Sequence, residues 1–210
     1  MKKVIFSGLF LSLMNMSQVA SANLITNGGF ESGAYIPSSN DTMTLPVGST
    51  AMNGWTVTDD LIAWIGPVNP WSLAASEGDF FLDLTDFATG SPFGGVSQNI
   101  TTVAGQSYEI SFDLGSSNLW GRPSAIEASA AGFSNIFTSS TVGGVSDWDR
   151  FSMLFTANSD TTTIFLRGVT GFQYIGLDNV SVTTVPVPAA LVLFLSGIGT
   201  IFSIGRTKCT

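Results

Sequence analysis

A chain of 210 residues with only 10% charged side chains, 23 glycines and 16 phenylalanines holds one sizeable domain plus targeting segments. That turn-rich, aromatic composition excludes a helical bundle. All fifteen acids lie between Glu31 and Asp178, against Arg122, Arg150 and Arg167, so the middle carries −12 where the whole chain carries −8, which excludes nucleic acid and anionic lipid as partners. There is no His and the only Cys is Cys209, which excludes an internal disulfide, a Cys/His zinc site and a His-based triad.

Residues 1–22 read as a secretory signal peptide for signal peptidase. Lys2 and Lys3 open it, an apolar run from Val4 to Met14 follows, and Ala20-Ser21-Ala22 gives the small-residue cleavage pattern. The mature chain is expected to begin at Asn23.

Over residues 23–184 the apolar period is two. Tyr108, Ile110, Phe112 and Leu114 alternate with Ser107, Glu109, Ser111 and Asp113. Phe151, Met153 and Phe155 repeat the pattern, and Ile164 with Leu166 does so over a shorter run. Further strands are expected at 53–58, 61–65, 79–84, 95–101 and 125–130, separated by Gly, Pro, Asn and Ser clusters. About eight to ten such strands predict an all-β, antiparallel jelly-roll β-sandwich.

Two irregularities mark the ends of this domain. In the last strand, 174–183, Ile175 and Leu177 share one phase and Val180 and Val182 the other, which predicts a bulge at Asp178-Asn179. In the first, Asn27-Gly28-Gly29 bends the chain just before Phe30-Glu31. With the terminal strands side by side, Glu31 and Asp178 converge, and two carboxylates with loop carbonyls suit Ca²⁺. The other open reading is that both carboxylates cap turns through nearby backbone.

Beyond the domain, residues 189–205 carry no charge and reach about 25 Å as a helix, at the short end of the spanning range. Arg206 and Lys208 follow, so this transmembrane helix is expected to leave the basic end on the cytoplasmic side of the inner membrane and the domain outside. Cys209 beyond it is either a lipidation site or an untouched thiol.

Val185-Pro186-Val187-Pro188-Ala189-Ala190-Leu191, the Gly-containing apolar helix and the basic end together resemble the PEP-CTERM sorting signal of Gram-negative bacteria. That resemblance implies an exosortase as the partner that recognises the Pro-Xaa-Pro region of tail 185–210. It also implies transient anchoring in the inner membrane before release to the outer envelope or exterior. Val187 departs from the Glu most often found between the prolines.

A second resemblance spans the mature domain. Asn23-Leu24-Ile25-Thr26-Asn27-Gly28-Gly29-Phe30-Glu31, Gly54-Trp55, Gly78-Asp79-Phe80-Phe81-Leu82-Asp83-Leu84, Gln98-Asn99-Ile100 with Gly105-Gln106-Ser107-Tyr108, and Gly176-Leu177-Asp178-Asn179-Val180 occur in order. The set is similar to the choice-of-anchor C domain, related to plant cell-wall domains and to galactose-binding-like carbohydrate-binding modules. It implies a structural Ca²⁺ held by Glu31 and Asp178, and polysaccharide or exopolysaccharide matrix as partner.

Sugar rings present C–H faces that stack on aromatics while amides and carboxylates bind their hydroxyls. Trp64, Trp71 and Trp120, beside Gly- and Pro-rich stretches, are the candidate sugar contacts, with packing under a long loop as the competing role. Trp55 and Trp148 sit in strand patterns and are expected in the core. Asp83 with Asp86, or Asp113 with Glu127, are the carboxylate pairs a glycoside hydrolase would need, but no catalytic motif accompanies them. The sequence therefore reads as an exported, non-catalytic polysaccharide-binding protein, with a structural matrix or adhesion protein as the alternative.

Overall fold

The computed structural model describes residues 21–119, 123–139 and 144–186. Eleven strands run in chain order: β1 (Thr42–Leu45), β2 (Thr56–Thr58), β3 (Ile62–Ile65), β4 (Phe81–Asp83), β5 (Gly95–Thr101), β6 (Ser107–Ser116), β7 (Ala125–Ala130), β8 (Phe133–Thr138), β9 (Asp147–Thr156), β10 (Thr161–Thr170) and β11 (Gly176–Thr184). They form two antiparallel sheets, a six-stranded one in the order β1-β3-β4-β11-β6-β9 and a five-stranded one in the order β2-β5-β10-β7-β8. Among the described residues no helix is long and apolar enough to cross a membrane. The signal peptide through residue 20 and the apolar segment 189–205 lie outside the described residues.

The core between the sheets takes one phase of each strand. Tyr108, Ile110, Phe112 and Leu114 enter it from β6, Met153 and Phe155 from β9, Ile164 and Leu166 from β10. Such a two-sheet core is what the period-two pattern demands, because each strand hides one side chain in two.

β11 lies at the centre of its sheet and shows the expected slip, a register shift against β6 between Asp178 and Ser181. Asn179 there has a φ of 49°. The shift lets Leu177 and then Val180 and Val182 all face the core despite their opposite phases. β4 pairs with β11 only at Gly176 and Leu177. Beyond that point residues 24–28 take over the vacated edge, with Leu24 N donating to Val182 O at 2.8 Å and Val180 N to Gly28 O at 2.9 Å. Gly28 permits this approach, since a Cβ there would stand 2.0 Å from the Val180 carbonyl oxygen. The N-terminal segment is thus a backbone-paired flank of β11, without a strand ladder of its own.

Candidate functional site

The outer faces of the two sheets differ, and the difference originates in the 66–80 connection between β3 and β4. β3 and β4 are buried on both faces: Ile62, Trp64 and Leu82 point to the main core. Ala63, Ile65 and Phe81 point outward, where Leu73 and Tyr174 join them in a second small core. Trp71, on the same connection, meets Phe87 at a tilt with ring centroids 5.0 Å apart, and Trp148 meets Phe81 edge-on at 5.7 Å. Asn69 holds the connection together, donating to Gly66 O and Leu73 O and accepting from Leu73 N.

Farther along, the connection is pinned by the two terminal carboxylates. Asp178 Oδ2 accepts from Ser76 N at 2.8 Å, Ser76 Oγ at 3.1 Å and Glu77 N at 3.0 Å, while Oδ1 accepts from Asn179 N at 2.6 Å. Glu31 Oε1 accepts from Asp79 N and Phe80 N, both at 2.9 Å. Burial pushes the Asp178 carboxyl up to about 6, against the opposing pull of these donors. Asp113 closes the set, accepting from Ser76 Oγ at 2.7 Å and Arg150 Nη1 at 3.0 Å. The outer face of the six-stranded sheet is therefore roofed over β3 and β4 and beside the bulge of β11, while the end of β9 around Leu154 stays exposed.

Glu31 and Asp178 thus meet the same connection and cap it through backbone amides, one of the two roles open to them. Their donor set also suits a hard cation. Asp178 Oδ1 carries a single donor, and it is this oxygen that faces Gly29: a Cβ on Gly29 would stand 3.9 Å from it and 3.7 Å from Glu31 Cγ. Among the described residues no third acidic, His or Cys side chain joins them in a metal-sized group, so backbone carbonyls would have to complete the coordination.

Among the described residues no apolar cluster covers the outer face of the five-stranded sheet. Strand register places Thr56, Ser97, Phe165, Ser129 and Ser134 in one row across all five strands. Phe165 lies at its centre, 41% exposed and outside both apolar clusters. Thr163, the next outward residue of β10, donates to Asn99 Oδ1 at 2.6 Å. On its other side Arg167 Nε donates to Glu127 Oε2 at 2.7 Å and Nη1 stands 3.9 Å from Asp59. Hydrogen bonds from Ser134 and Arg167 hold the Glu127 carboxyl below its usual range. A shallow depression of about 240 Å³ adjoins Phe165, lined by Ser129, Ala131, Gly132, Phe133 and Thr163.

These positions correct part of the sequence reading. Trp64 is 1% exposed and fills the main core, where its indole N–H donates to Phe30 O at 3.1 Å; it is not a surface contact for a sugar. Pro and Gly follow it in sequence, but the strand reaches Ile65 first and is covered on both sides, which removes the alternation that marks a buried residue. Trp71 is half-buried in the roof, and Trp120 lies outside the described residues. Trp55 is in the core as expected, whereas Trp148 packs beneath the roof with its N–H on Ala74 O. Of the sorting motif, Val185 N donates to Ser107 O, Pro186 ends the described chain, and Val187 and Pro188 lie outside the described residues.

The carboxylate pairs do not face clefts. Asp83 is fully buried and accepts from Thr85, Phe87 and Ile175, while Asp86 accepts from Thr44. Asp113 and Glu127 belong to different sheets. Sequence reasoning passed over Phe165, although its signal was present: Ile164 and Leu166 set the inward phase, so an aromatic between them stands in the polar phase.

The DUF642 family model, described as a protein of unknown function, matches residues 23–172. The chain belongs to the DUF642 family. This DUF642 chain is also 29% identical over 185 residues to halomucin of Haloquadratum walsbyi, a match that covers 85% of the chain but spans only 2% of halomucin's length. Three solved structures resemble it in shape. TmCBM61 in complex with β-1,4-galactotriose superposes with a TM-score of 0.47 at 19% identity, covering 79% of this chain and all of that one. A family 35 carbohydrate-binding module from Clostridium thermocellum gives 0.43 at 12%, covering 67% and 97%. The CBM22-1 xylan-binding domain of Paenibacillus barcinonensis Xyn10C gives 0.42 at 14%, covering 70% and 94%.

Proposed function

We propose that this DUF642 chain binds polysaccharide without cleaving it, on the outer face of its five-stranded sheet. One observation carries the reading: the middle of the six-stranded sheet's outer face is roofed by residues 66–80, whereas the middle of the five-stranded sheet's outer face has Phe165 exposed among hydroxyl and amide side chains. The Phe165 ring offers a sugar C–H face an apolar platform. Ser97, Ser129, Thr163 and Asn99 around it offer donors and acceptors for ring hydroxyls. A row crossing five strands suits an extended chain better than a single small molecule, and the 240 Å³ depression falls below the usual size of an enclosed ligand pocket. Retention of the purified protein on immobilised polysaccharides, with and without Phe165→Ala, tests the reading.

The chain reaches its site of action, in this proposal, by export behind residues 1–22 and sorting through residues 185–210. Deleting residues 185–210 and following the protein between membrane and medium tests that part separately. A structural Ca²⁺ shared by Glu31 and Asp178 belongs to the same proposal, supported by the lone donor on Asp178 Oδ1 and by the approach of both side chains to Gly29. It would tie the N-terminal bend to the last strand and neutralise the exposed Glu31 and the buried Asp178 together.

A further inference from the structure

Four strands end the two sheets, and three of those edges are protected. β1 is backed by residues 36–38, with Ser38 N donating to Thr42 O and Ile36 N to Met43 Sδ. β2 is backed by residues 48–49, which exchange hydrogen bonds with Val57 through Gly48 N and Ser49 O. β9 carries Asp147, Asp149 and Arg150, charges of the kind that discourage edge-to-edge pairing. β8, of sequence Phe-Ser-Asn-Ile-Phe-Thr, has no charge, no Pro and no Gly. Its Ile136 is 60% exposed and its Phe133 47%.

The direction of its backbone groups follows from the hairpin. Ala131 and Gly132, with φ of 52° and 88°, make a two-residue turn of the type that favours hairpins. Ser139 N donates to Ser124 O at 2.9 Å, so Ser124–Ser139 is a hydrogen-bonded pair of the β7–β8 ladder. Such pairs alternate along an antiparallel ladder. Phe133, Asn135 and Phe137 therefore bond β7, and the N–H and C=O groups of Ser134, Ile136 and Thr138 point away from the sheet. No described residue bonds them.

We infer that β8 pairs with β8 of a second copy of this chain, antiparallel about a twofold axis at Ile136. That register sets Ile136 against Ile136 of the second copy and Ser134 against its Thr138. All three outward-facing residues of each strand then fall in hydrogen-bonded pairs, giving about six N–H···O bonds. The strand is self-complementary: an exposed aliphatic pair meets on the axis, hydroxyls flank it, and no like charges are opposed. A six-residue strand pair is smaller than a standard permanent interface, so the association is weak and depends on concentration.

The test is the mass of the full chain by sedimentation equilibrium over a wide concentration range, for the wild type and three variants. Every variant keeps residues 187–210, so the contribution of that segment is the same throughout. The wild type is expected to rise toward twice the monomer mass. Ile136→Lys, which places two charges on the axis, is expected to need at least a tenfold higher concentration. Leu154→Lys adds the same charge at an exposed aliphatic on the other sheet and is expected to match the wild type. Ser134→Pro removes an outward N–H and the hydroxyl bond to Glu127 but none of the backbone bonds to β7, and decides the matter if Ile136→Lys unfolds. A monomer at every concentration overturns the inference and leaves the edge to a different partner. Equal weakening by Ile136→Lys and Leu154→Lys also overturns it, because association would then use another surface.

Discussion

Glu31 and Asp178 grip the same five-residue stretch of chain from the two ends of the domain: Asp178 takes the amides of Ser76 and Glu77, Glu31 those of Asp79 and Phe80. The N-terminal bend and the bulge of β11 exist to bring these carboxylates to that stretch. Their grip holds the roof on the six-stranded sheet.

Gly78 lies between the two halves of the grip. It has a φ of 68°, and a Cβ there would stand 2.3 Å from Glu31 Oε1. Gly78→Ala is expected to cost about 1–3 kcal/mol in urea unfolding through strain and displacement of Glu31. Little change would show that the roof is not held at this point.

Asp83 sets a pH dependence. It is wholly buried, and desolvation raises its carboxyl to about 6 despite donors from Ile175, Thr85 and Phe87. Because the folded value lies above the unfolded one, the folded state binds more protons between about pH 4 and 6. This group therefore adds stability as pH falls through 6 and withdraws it as pH rises. Comparison of melting curves from pH 7 to 4 is expected to show a stability gain larger in the wild type than in Asp83→Asn by on the order of 2–3 kcal/mol, the gain from the raised Asp178 carboxyl being common to both. The same slope in both proteins would remove Asp83 as its source.

Calcium gives a third expectation. If Glu31 and Asp178 hold the ion in the native state alone, adding Ca²⁺ raises the melting temperature and a chelator lowers it. Glu31→Gln is expected to abolish the response. A melting temperature indifferent to both additions would assign the carboxylates to the roof amides alone.

Trp64 and Phe165 separate stability from surface function. Trp64→Ala is expected to cost about 3–5 kcal/mol in urea unfolding, as for a fully buried large aromatic. Phe165→Ala removes a partly exposed ring and is expected to change stability by less than about 1 kcal/mol. A small loss at Trp64 would contradict its place in the core.

Much of the sandwich was legible because its strands alternate. The stretches 95–101 and 125–130 match β5 and β7, and the conflict of phase around Asp178 marked the bulge. β1 and β8 were missed: four polar-flanked residues are too few to show a period, and β8 is exposed on both faces, so it has no buried phase. Trp64 was misplaced for the opposite reason, since β3 is buried on both faces and has no polar phase. The roof was invisible in sequence, as it depends on contacts between residues far apart such as Ser76 and Asp178. The approach of Glu31 to Asp178 was legible, because turn residues and phase slips are local signals, but the loop that both cap was not.

The open face of the five-stranded sheet is the central claim, and affinity electrophoresis of wild type and Phe165→Ala through gels holding a panel of polysaccharides tests it most directly. The wild type is expected to be retarded by at least one polysaccharide, and Phe165→Ala to lose about tenfold or more of that affinity while melting at the same temperature. Retardation unchanged by Phe165→Ala would place the sugar elsewhere, and no retardation of the wild type by any polysaccharide would contradict the claim and favour a structural matrix role.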